Sequence, residues 1–191
     1  MKQATDDRRV RRTRKAVLDA FFGLVLERRY DEIKVDDIVE RARVGRSTLY
    51  EHFPGKDAIL ATSLRGPLGV LADAMRPTDN TARLVALLEH FWSNRALSRG
   101  IFIGPVRRKA IAVLIGLIEQ RLKTDRLRGP DGFIIPVRLA AIQLAEGMLA
   151  PVTAWLVGES HCSAEALALA LRKTSTATVE ALCRRSSTTR S

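Results

Sequence analysis

Residues 35–56, which read VDDIVERARVGRSTLYEHFPGK, constrain the fold of this chain more than any other stretch. An acidic pair at 36–37 can start a short helix that ends near residue 42. A second short helix follows over about 46–52, after a connection of only three residues. Two short helices joined in this way are typical of a helix-turn-helix. Apolar positions that would lock them against a third helix are Ile38, Ala42, Val44, Leu49 and Phe53.

The second of these helices has a polar side, made of Arg46, Ser47, Thr48, Tyr50 and His52. Hydrogen-bond donors on a short rigid helix suit the DNA major groove and its flanking phosphates. We take Arg46 and Ser47 as the candidates for contacts with base edges. Lys34 stands just before the helix that the acidic pair starts, where a phosphate would meet its charge and the N–H groups of the helix start.

This region resembles the tetracycline-repressor (TetR) family of bacterial transcription regulators over about residues 13–60. The most specific part is TLYEHFPGKDAIL, which begins at Thr48. The resemblance also rests on Tyr30, Val35, Ile38, Ala42 and Val44. It implies that Thr48, Tyr50, His52 and Lys56 contact the phosphate backbone of a DNA operator.

Three positions depart from the family pattern. Arg43 stands at the turn, where the family usually has glycine, and a left-handed residue there would carry a strain of about 1 kcal/mol. Gly45 replaces a frequent serine as the cap of the second helix, which costs only a few tenths of a kcal/mol. Ser47 replaces a common glycine on the DNA-facing side. The motif tolerates these changes, but base specificity does not carry over from the resemblance.

The net charge of +11 favours a polyanionic partner without proving one. Residues 1–60 hold 14 basic and 11 acidic side chains, a difference of +3, so the excess lies mainly in the rest of the chain. Residues 1–15 nevertheless hold seven basic and two acidic side chains, a difference of +5. With residues 1–9 expected to be mobile, two readings stay open: a solvated tail, or an arm that lies along phosphates or enters the minor groove.

Helical periodicity continues through the remaining sequence, and no strand pattern is present. We expect the first helix over about 13–28, an interruption of the fourth helix at Gly66 and Pro67, and a helix over 81–97. A break is expected over 100–104, a helix over 105–123 and a loop over 126–132. Residues 136–157 are almost continuously apolar, with Pro151 expected to kink or end that helix near Leu149. Ser163 should cap the last helix.

These patterns predict an all-α fold: an N-terminal three-helix helix-turn-helix DNA-binding domain followed by a larger C-terminal helical domain for ligand binding and dimerisation. The expected divisions are 1–56 for the arm and DNA-binding domain, 57–185 for the larger domain, and 186–191 for a disordered tail.

Residue types that carry catalysis are sparse and scattered. His52, His90 and His161 are far apart, and neither a nucleophile motif, a phosphate-binding glycine loop nor a metal-ligand spacing occurs. We therefore expect no enzyme and no cofactor. Cys162 and Cys183 are too few for a disulfide framework, and reduced thiols are favoured over a redox sensor. The polar start and the lack of an apolar run long enough to cross a bilayer predict a cytoplasmic protein.

A short recognition helix reads few base pairs, so a selective site calls for a two-fold dimer and an inverted repeat. The apolar surplus of the last two helices, 136–157 and 163–182, is the expected dimer interface, and a monomer core is the alternative. An effector pocket is expected among the middle helices, lined by Met75, Phe91, Trp92, Asn94, Phe102, Gln143, Glu146, Met148 and Trp155. Glu146 would favour a cationic effector there, unless it reaches solvent or pairs with an arginine.

The sequence thus predicts a homodimeric repressor that binds an inverted-repeat operator and is released by a small hydrophobic effector. The rival from another class is a helical small-molecule-binding protein without specific operator binding.

Overall fold

The computed structural model describes residues 2–77, 81–104, 106–124 and 132–183, with side chains from residue 7. Within these ranges the chain forms nine α-helices and two 3-10 turns, one at Tyr30–Glu32 and one at Asp73–Met75. The helices are α1 Lys2–Glu27, α2 Val35–Ala42, α3 Arg46–His52, α4 Lys56–Ala72, α5 Thr81–Ser93, α6 Arg95–Phe102, α7 Arg107–Thr124, α8 Val137–Val157 and α9 Ala164–Leu182. The all-α prediction is confirmed, and the described strand pairing is a single bridge between Phe133 and Cys183.

The chain divides into two compact units, residues 1–64 and 65–191. In the first unit, α2 and α3 pack on α1. Val17, Phe21 and Leu24 of α1 are buried together with Ile38 of α2 and Leu49 of α3. An exposed ion pair fixes α2 on α1: both guanidinium nitrogens of Arg41 lie 2.7 Å from the Glu27 carboxylate.

In the second unit, α8 packs against α6, α7 and α9, and α9 also packs against α5. The side chain of Arg121, on α7, is largely buried against the end of α4 and the 3-10 turn that follows it. Its guanidinium lies 2.6 Å from the Asp73 carboxylate and 2.9 Å from the Gly69 carbonyl oxygen. Ser163 caps α9 as predicted, since its hydroxyl accepts the Ala166 N–H at 3.2 Å.

The first helix starts much earlier than the sequence pattern suggested, because residues 2–12 continue it and do not form a mobile tail. Neither proline nor glycine occurs before Gly23, so nothing in the sequence breaks the helix. An ion pair of 2.9 Å between Arg11 and Asp7, four residues apart, supports the added turns.

Two prolines lie inside helices. The expected interruption at Pro67 and the expected end near Leu149 are wrong, whereas the alternative of a kink at Pro151 stays a prediction. Pro67 lies within α4 and Pro151 within α8, which ends at Gly158 in a left-handed conformation with φ of 85°. A proline in a helix costs about 3 kcal/mol, whereas each leucine fully buried by continuing the helix contributes roughly 1.5–3 kcal/mol. After Pro67 the helix buries Leu68 and Leu71; after Pro151 it buries Val152, Trp155 and Leu156.

The predicted helix over 81–97 ends earlier than expected, at Ser93. The predicted break over 100–104 is also misplaced, because α6 runs from Arg95 to Phe102. Helix α5 stops at Ser93 because the Asn94 side chain donates to the His90 carbonyl at 2.9 Å. Gly100 lies inside α6. At Gly104, a Cβ atom would come within 2.7 Å of the Gly100 carbonyl oxygen, so the backbone approach after α6 requires glycine.

The expectation that no apolar run is long enough to cross a bilayer is wrong for α8. This helix is long and apolar enough to cross a membrane by length and composition alone, although half of that window is buried within the protein. Core helices pass the same test, so this property is weak grounds for a membrane span. Most of the predicted 126–132 loop and the predicted 186–191 tail lie outside the described residues.

Candidate nucleic-acid interface and ligand pocket

Helix α3 separates an anchoring side from an open side. On the anchoring side, the side chain of Leu49 is 0% exposed. Phe53, which caps the C-terminal end of α3, is 1% exposed. Arg46 and Ser47 are exposed, Thr48 and His52 are half-buried, and Tyr50 is 44% exposed. The polar side predicted from the sequence therefore lies away from the core of the first unit.

The turn between α2 and α3 uses the strained residue that the sequence suggested. Arg43 adopts φ 53° and ψ 46°, and it is the non-glycine residue with positive φ in the described part of the chain. The N–H of Val44 closes the turn on the Val39 carbonyl at 3.2 Å. A Cβ atom on Gly45 would meet Thr48 Oγ1 at an ordinary 3.5 Å, so the serine frequent in the family would also fit at this cap.

Arg46 is held by a residue from α2. Its Nη1 lies 2.7 Å from the Asp36 carboxylate, in an exposed ion pair. Its guanidinium also sits 5.9 Å from the centre of the Tyr50 ring. Hydrogen bonding with Tyr50, followed by the charge of Asp36, raises the pKa of Arg46, so the side chain remains a cation.

Lys34 is exposed at the start of α2. Its backbone N–H already donates to the Asp37 carboxylate at 2.7 Å. That carboxylate also lies 3.5 Å from an Arg28 nitrogen. At this position the ammonium group, and not the residue's own N–H, is the group available to an anion.

Lys56 is directed into the first unit. Its ammonium donates to the carbonyl oxygens of Tyr30 and Ile33, at 2.8 and 2.7 Å, and lies 4.2 Å from the centre of the Tyr30 ring. The hydroxyl of Tyr30 in turn donates to the Asp57 carboxylate. Burial, then this hydrogen bond, raises the pKa of Tyr30 well above its ordinary value. These contacts join the start of α4 to the 3-10 turn before α2.

Arg14 was not singled out by sequence reasoning, yet it fixes α1 beside the end of α3. Its Nη1 donates to the His52 carbonyl at 3.1 Å, and its guanidinium lies 4.6 Å from the centre of the Phe53 ring. The available sequence signal was weak, since Arg14 is one of several arginines in a basic run.

The predicted effector-pocket residues separate into different environments. Met75, Phe91, Phe102 and Met148 are buried in the core, and the rings of Phe91 and Phe102 meet edge-on at 5.2 Å. Gln143 is exposed, and Asn94 is engaged with its own helix end. Glu146 pairs with Arg107 at 2.6 Å, which matches the alternative in which an arginine neutralises it.

Trp92 and Trp155 come together at a partly open pocket of about 610 Å³. Their ring centres are 4.7 Å apart, and Trp155 Nε1 donates to the Cys162 carbonyl at 3.0 Å. The remaining lining residues come from the end of α5, from the α8–α9 connection and from the first turn of α9, and they include Glu89, Ser93, His161, Ser163 and Glu165. Two aromatic rings beside two carboxylates form a surface suited to a flat apolar or cationic molecule.

Within the described ranges, no group of three or more histidine, cysteine or acidic side chains is arranged to hold a metal ion. The arrangement in the first unit offers exposed donors and cations on a rigid helix. Such groups bind phosphates and base edges.

Comparison with known proteins points the same way. The sequence profile described as "Bacterial regulatory proteins, tetR family" matches residues 17–62. The uncharacterized HTH-type transcriptional regulator YdeS of Bacillus subtilis is 32% identical over 137 residues, covering 70% of this chain and 63% of YdeS. A second uncharacterized HTH-type regulator of the same organism, YxbF, is 33% identical over 73 residues, covering 38% of this chain and 19% of its own length. The chain thus spans less than two thirds of the curated relatives that it matches.

Solved structures share the fold. A TetR transcriptional regulator from Streptococcus agalactiae has a TM-score of 0.56 at 23% identity, with 91% of this chain and 98% of that chain covered. Another TetR regulator, from a Rhodococcus species, has a TM-score of 0.52 at 14% identity, with coverages of 88% and 96%. With its helix-turn-helix at α2 and α3, the part of the chain over residues 17–62 belongs to the tetR family of bacterial regulatory proteins.

Proposed function

We propose that the chain represses transcription by binding an inverted-repeat operator as a homodimer, and that a small hydrophobic effector releases it. The observation that carries the DNA-binding part is the open side of α3. Arg46, Ser47 and Tyr50 are exposed on this side, while Leu49 on the opposite side is fully buried. A helix held in this way presents its polar side without reorganisation, which favours binding to a major groove.

The DNA contacts divide by chemistry. Arg46 and Ser47 are proposed to meet base edges, because both are exposed at the N-terminal end of α3, where recognition helices read bases. Lys34, Thr48, Tyr50, His52 and Lys56 are proposed to meet phosphates. For Lys56 this requires its ammonium to turn away from the carbonyl oxygens of Tyr30 and Ile33.

The homodimer is proposed to form through the exposed sides of α8 and α9. On α9, Leu169 is 47% exposed and is flanked by exposed Ala166, Ala170 and Ala177 at helical spacing. On α8, exposed Leu139, Ala150 and Val157 form a comparable apolar side. A second copy of the chain is the occupant that would cover these surfaces and place two recognition helices on one inverted repeat.

The effector is proposed to bind beside Trp92 and Trp155, since these two predicted pocket residues line the pocket described above. The other seven predicted residues are not among those that line this pocket. Because its partner is DNA, the protein is proposed to act in the cytoplasm.

The first test is a gel-shift titration with the DNA immediately upstream of the chain's own coding sequence. A shift that a scrambled duplex of equal length does not compete away supports an operator-binding regulator. Binding that the scrambled duplex competes equally well contradicts operator specificity and favours the helical small-molecule-binding protein.

A further inference from the structure

We infer that α1 carries a second DNA contact surface, formed by Arg8, Arg11, Arg12 and Lys15, which we name the basic side of α1. It is proposed to contact phosphates that flank the site read by α3. This inference rests on the proposed DNA binding and adds a surface outside the helix-turn-helix.

The basic side of α1 has no role in packing the first unit. Val17, Phe21 and Leu24 of the same helix are buried against α2 and α3. At about 100° per residue, Arg8 and Arg12 fall on the opposite side of the helix. All four basic side chains are exposed. Their charge is therefore available to a partner without loss of core contacts.

The charges on this side are held weakly or not at all by acidic neighbours. Arg11 pairs with Asp7 and Lys15 with Asp19, both over one helical turn and with more than half of each side chain exposed. Exposed pairs of this kind contribute only about 0.2–1 kcal/mol and are exchanged readily. Arg8 and Arg12 make no ion pair within the part of the chain that the structure describes.

Arg14 determines where this surface lies relative to α3. Through its contacts with the His52 carbonyl and the Phe53 ring, α1 runs beside the C-terminal end of the recognition helix. Arg11 lies one turn earlier and about 60° around the helix from Arg14. Arg8 lies about 9 Å from Arg14 along the axis. The four basic side chains thus lie within two helical turns of the contact that Arg14 makes with the end of α3.

Helical backbone decides which part of DNA this surface fits. A helix with its side chains is about 10–12 Å wide, whereas the minor groove is about 6 Å wide. Residues 8–15 are helical, so they do not enter the minor groove as an extended arm would. Arginine and lysine side chains on such a helix can reach phosphates across the groove edge, and these contacts are independent of sequence.

The test compares two duplexes carrying the same operator, one trimmed to the minimal site and one extended by about ten base pairs on each side, one further turn of DNA. Dissociation constants are measured by fluorescence anisotropy across a salt series for the wild type and for Arg8→Gln/Arg12→Gln. Glutamine retains helix propensity, and circular dichroism verifies the fold. The wild type should bind the extended duplex more tightly. The double variant should lose this gain, and its salt slope should fall by about two per subunit.

Arg83→Gln/Arg108→Gln is the matched control. Both arginines are exposed in the second unit, so the control removes the same charge from a different surface. It should keep the wild-type dependence on duplex length. If the Arg8/Arg12 variant keeps that dependence and its salt slope, the basic side of α1 is not a DNA contact, even where operator binding stands. A wild type that binds neither duplex overturns the DNA-binding function itself.

Discussion

Asp36 holds Arg46 across the two helices of the motif, carboxylate to guanidinium, at 2.7 Å. The side chain proposed to read bases is therefore supported from α2 before any DNA is bound. An exposed pair of this kind restrains the guanidinium without fixing it strongly. In a complex with DNA, the two acceptors of a guanine could take the place of the Asp36 carboxylate and form a bidentate contact with the Arg46 guanidinium.

Arg46→Ala should relax operator specificity. Loss of a bidentate contact to guanine reduces discrimination between the correct and the altered base by roughly 5- to 150-fold. Binding to unrelated DNA should change much less. Competition titrations with operators altered one base pair at a time measure this effect. Asp36→Asn is the control, because it removes the support but leaves the guanidinium. Equal discrimination by the wild type and Arg46→Ala would show that another residue reads the base.

Lys56→Ala should lower stability as well as DNA affinity. The change removes the ammonium donor from the carbonyl oxygens of Tyr30 and Ile33. The Tyr30 carbonyl still accepts the Ile33 N–H at 3.2 Å, so the Ile33 carbonyl is the one that loses its donor, at a cost of about 1–3 kcal/mol. Denaturant unfolding measures that loss. The salt dependence of operator binding then separates the two roles. A phosphate contact should reduce the slope by about 0.9 per subunit, whereas a purely structural lysine should leave the slope unchanged.

Tyr30 should make stability depend on pH at the alkaline end. Its raised pKa means that the folded state holds the phenol proton more tightly than the unfolded chain does. This contribution is complete below the unfolded pKa of about 10 and is lost as the pH rises above it. Tyr30→Phe should flatten the fall in unfolding free energy above pH 10. An equally steep fall in Tyr30→Phe would show that another group causes it.

Leu169→Glu should convert a dimer to a folded monomer. The side chain is 47% exposed, so a carboxylate there stays solvated in the monomer but would be buried in the proposed interface. Sedimentation at micromolar concentration gives the mass. Leu171→Glu is a poor probe, because Leu171 is only 2% exposed and the change would unfold the chain. Ile103→Glu, at a residue 46% exposed outside α8 and α9, should keep the dimer mass. A wild type that sediments as a monomer would contradict the interface.

An effector that enters the described pocket should change the intrinsic fluorescence, because the only two tryptophans of the chain both line it. We expect hydrophobic compounds, cationic ones among them, to release operator DNA over the concentration range in which they quench this emission. Trp92→Leu should weaken both effects. Glu146→Gln should leave both unchanged, because in the wild type Arg107 already pairs with the Glu146 carboxylate. Release without any tryptophan response would place the effector elsewhere.

The helix-turn-helix could be predicted closely because its determinants are local. The start of α3 at Arg46, the turn at Arg43 and the buried position of Leu49 all follow from residues within one short stretch. The prolines at 67 and 151 could not be placed in the same way. Whether a helix continues through a proline depends on how much apolar surface is buried beyond it, and that is set by distant helices.

The side-chain partners of the site were harder to foresee than the site itself. The direction of Lys56 depends on carbonyl oxygens more than twenty residues away, and the pairing of Arg46 depends on Asp36, ten residues earlier. Among apolar residues, the sequence could not distinguish Phe102 in the core from Trp92 at a pocket, since both lie on amphipathic helices. Periodicity tells which side of a helix is buried but not what covers it.

The left-handed Arg43 has a consequence for how long the protein survives in a cell. A non-glycine residue in this conformation costs about 1 kcal/mol, which corresponds to about a five-fold larger unfolded fraction. Proteases remove proteins largely through that fraction, so a change of this size alters abundance several-fold. The backbone conformation of this one turn residue thereby affects the rate at which the protein is degraded. It also affects the time needed to return the amount of protein to a new level.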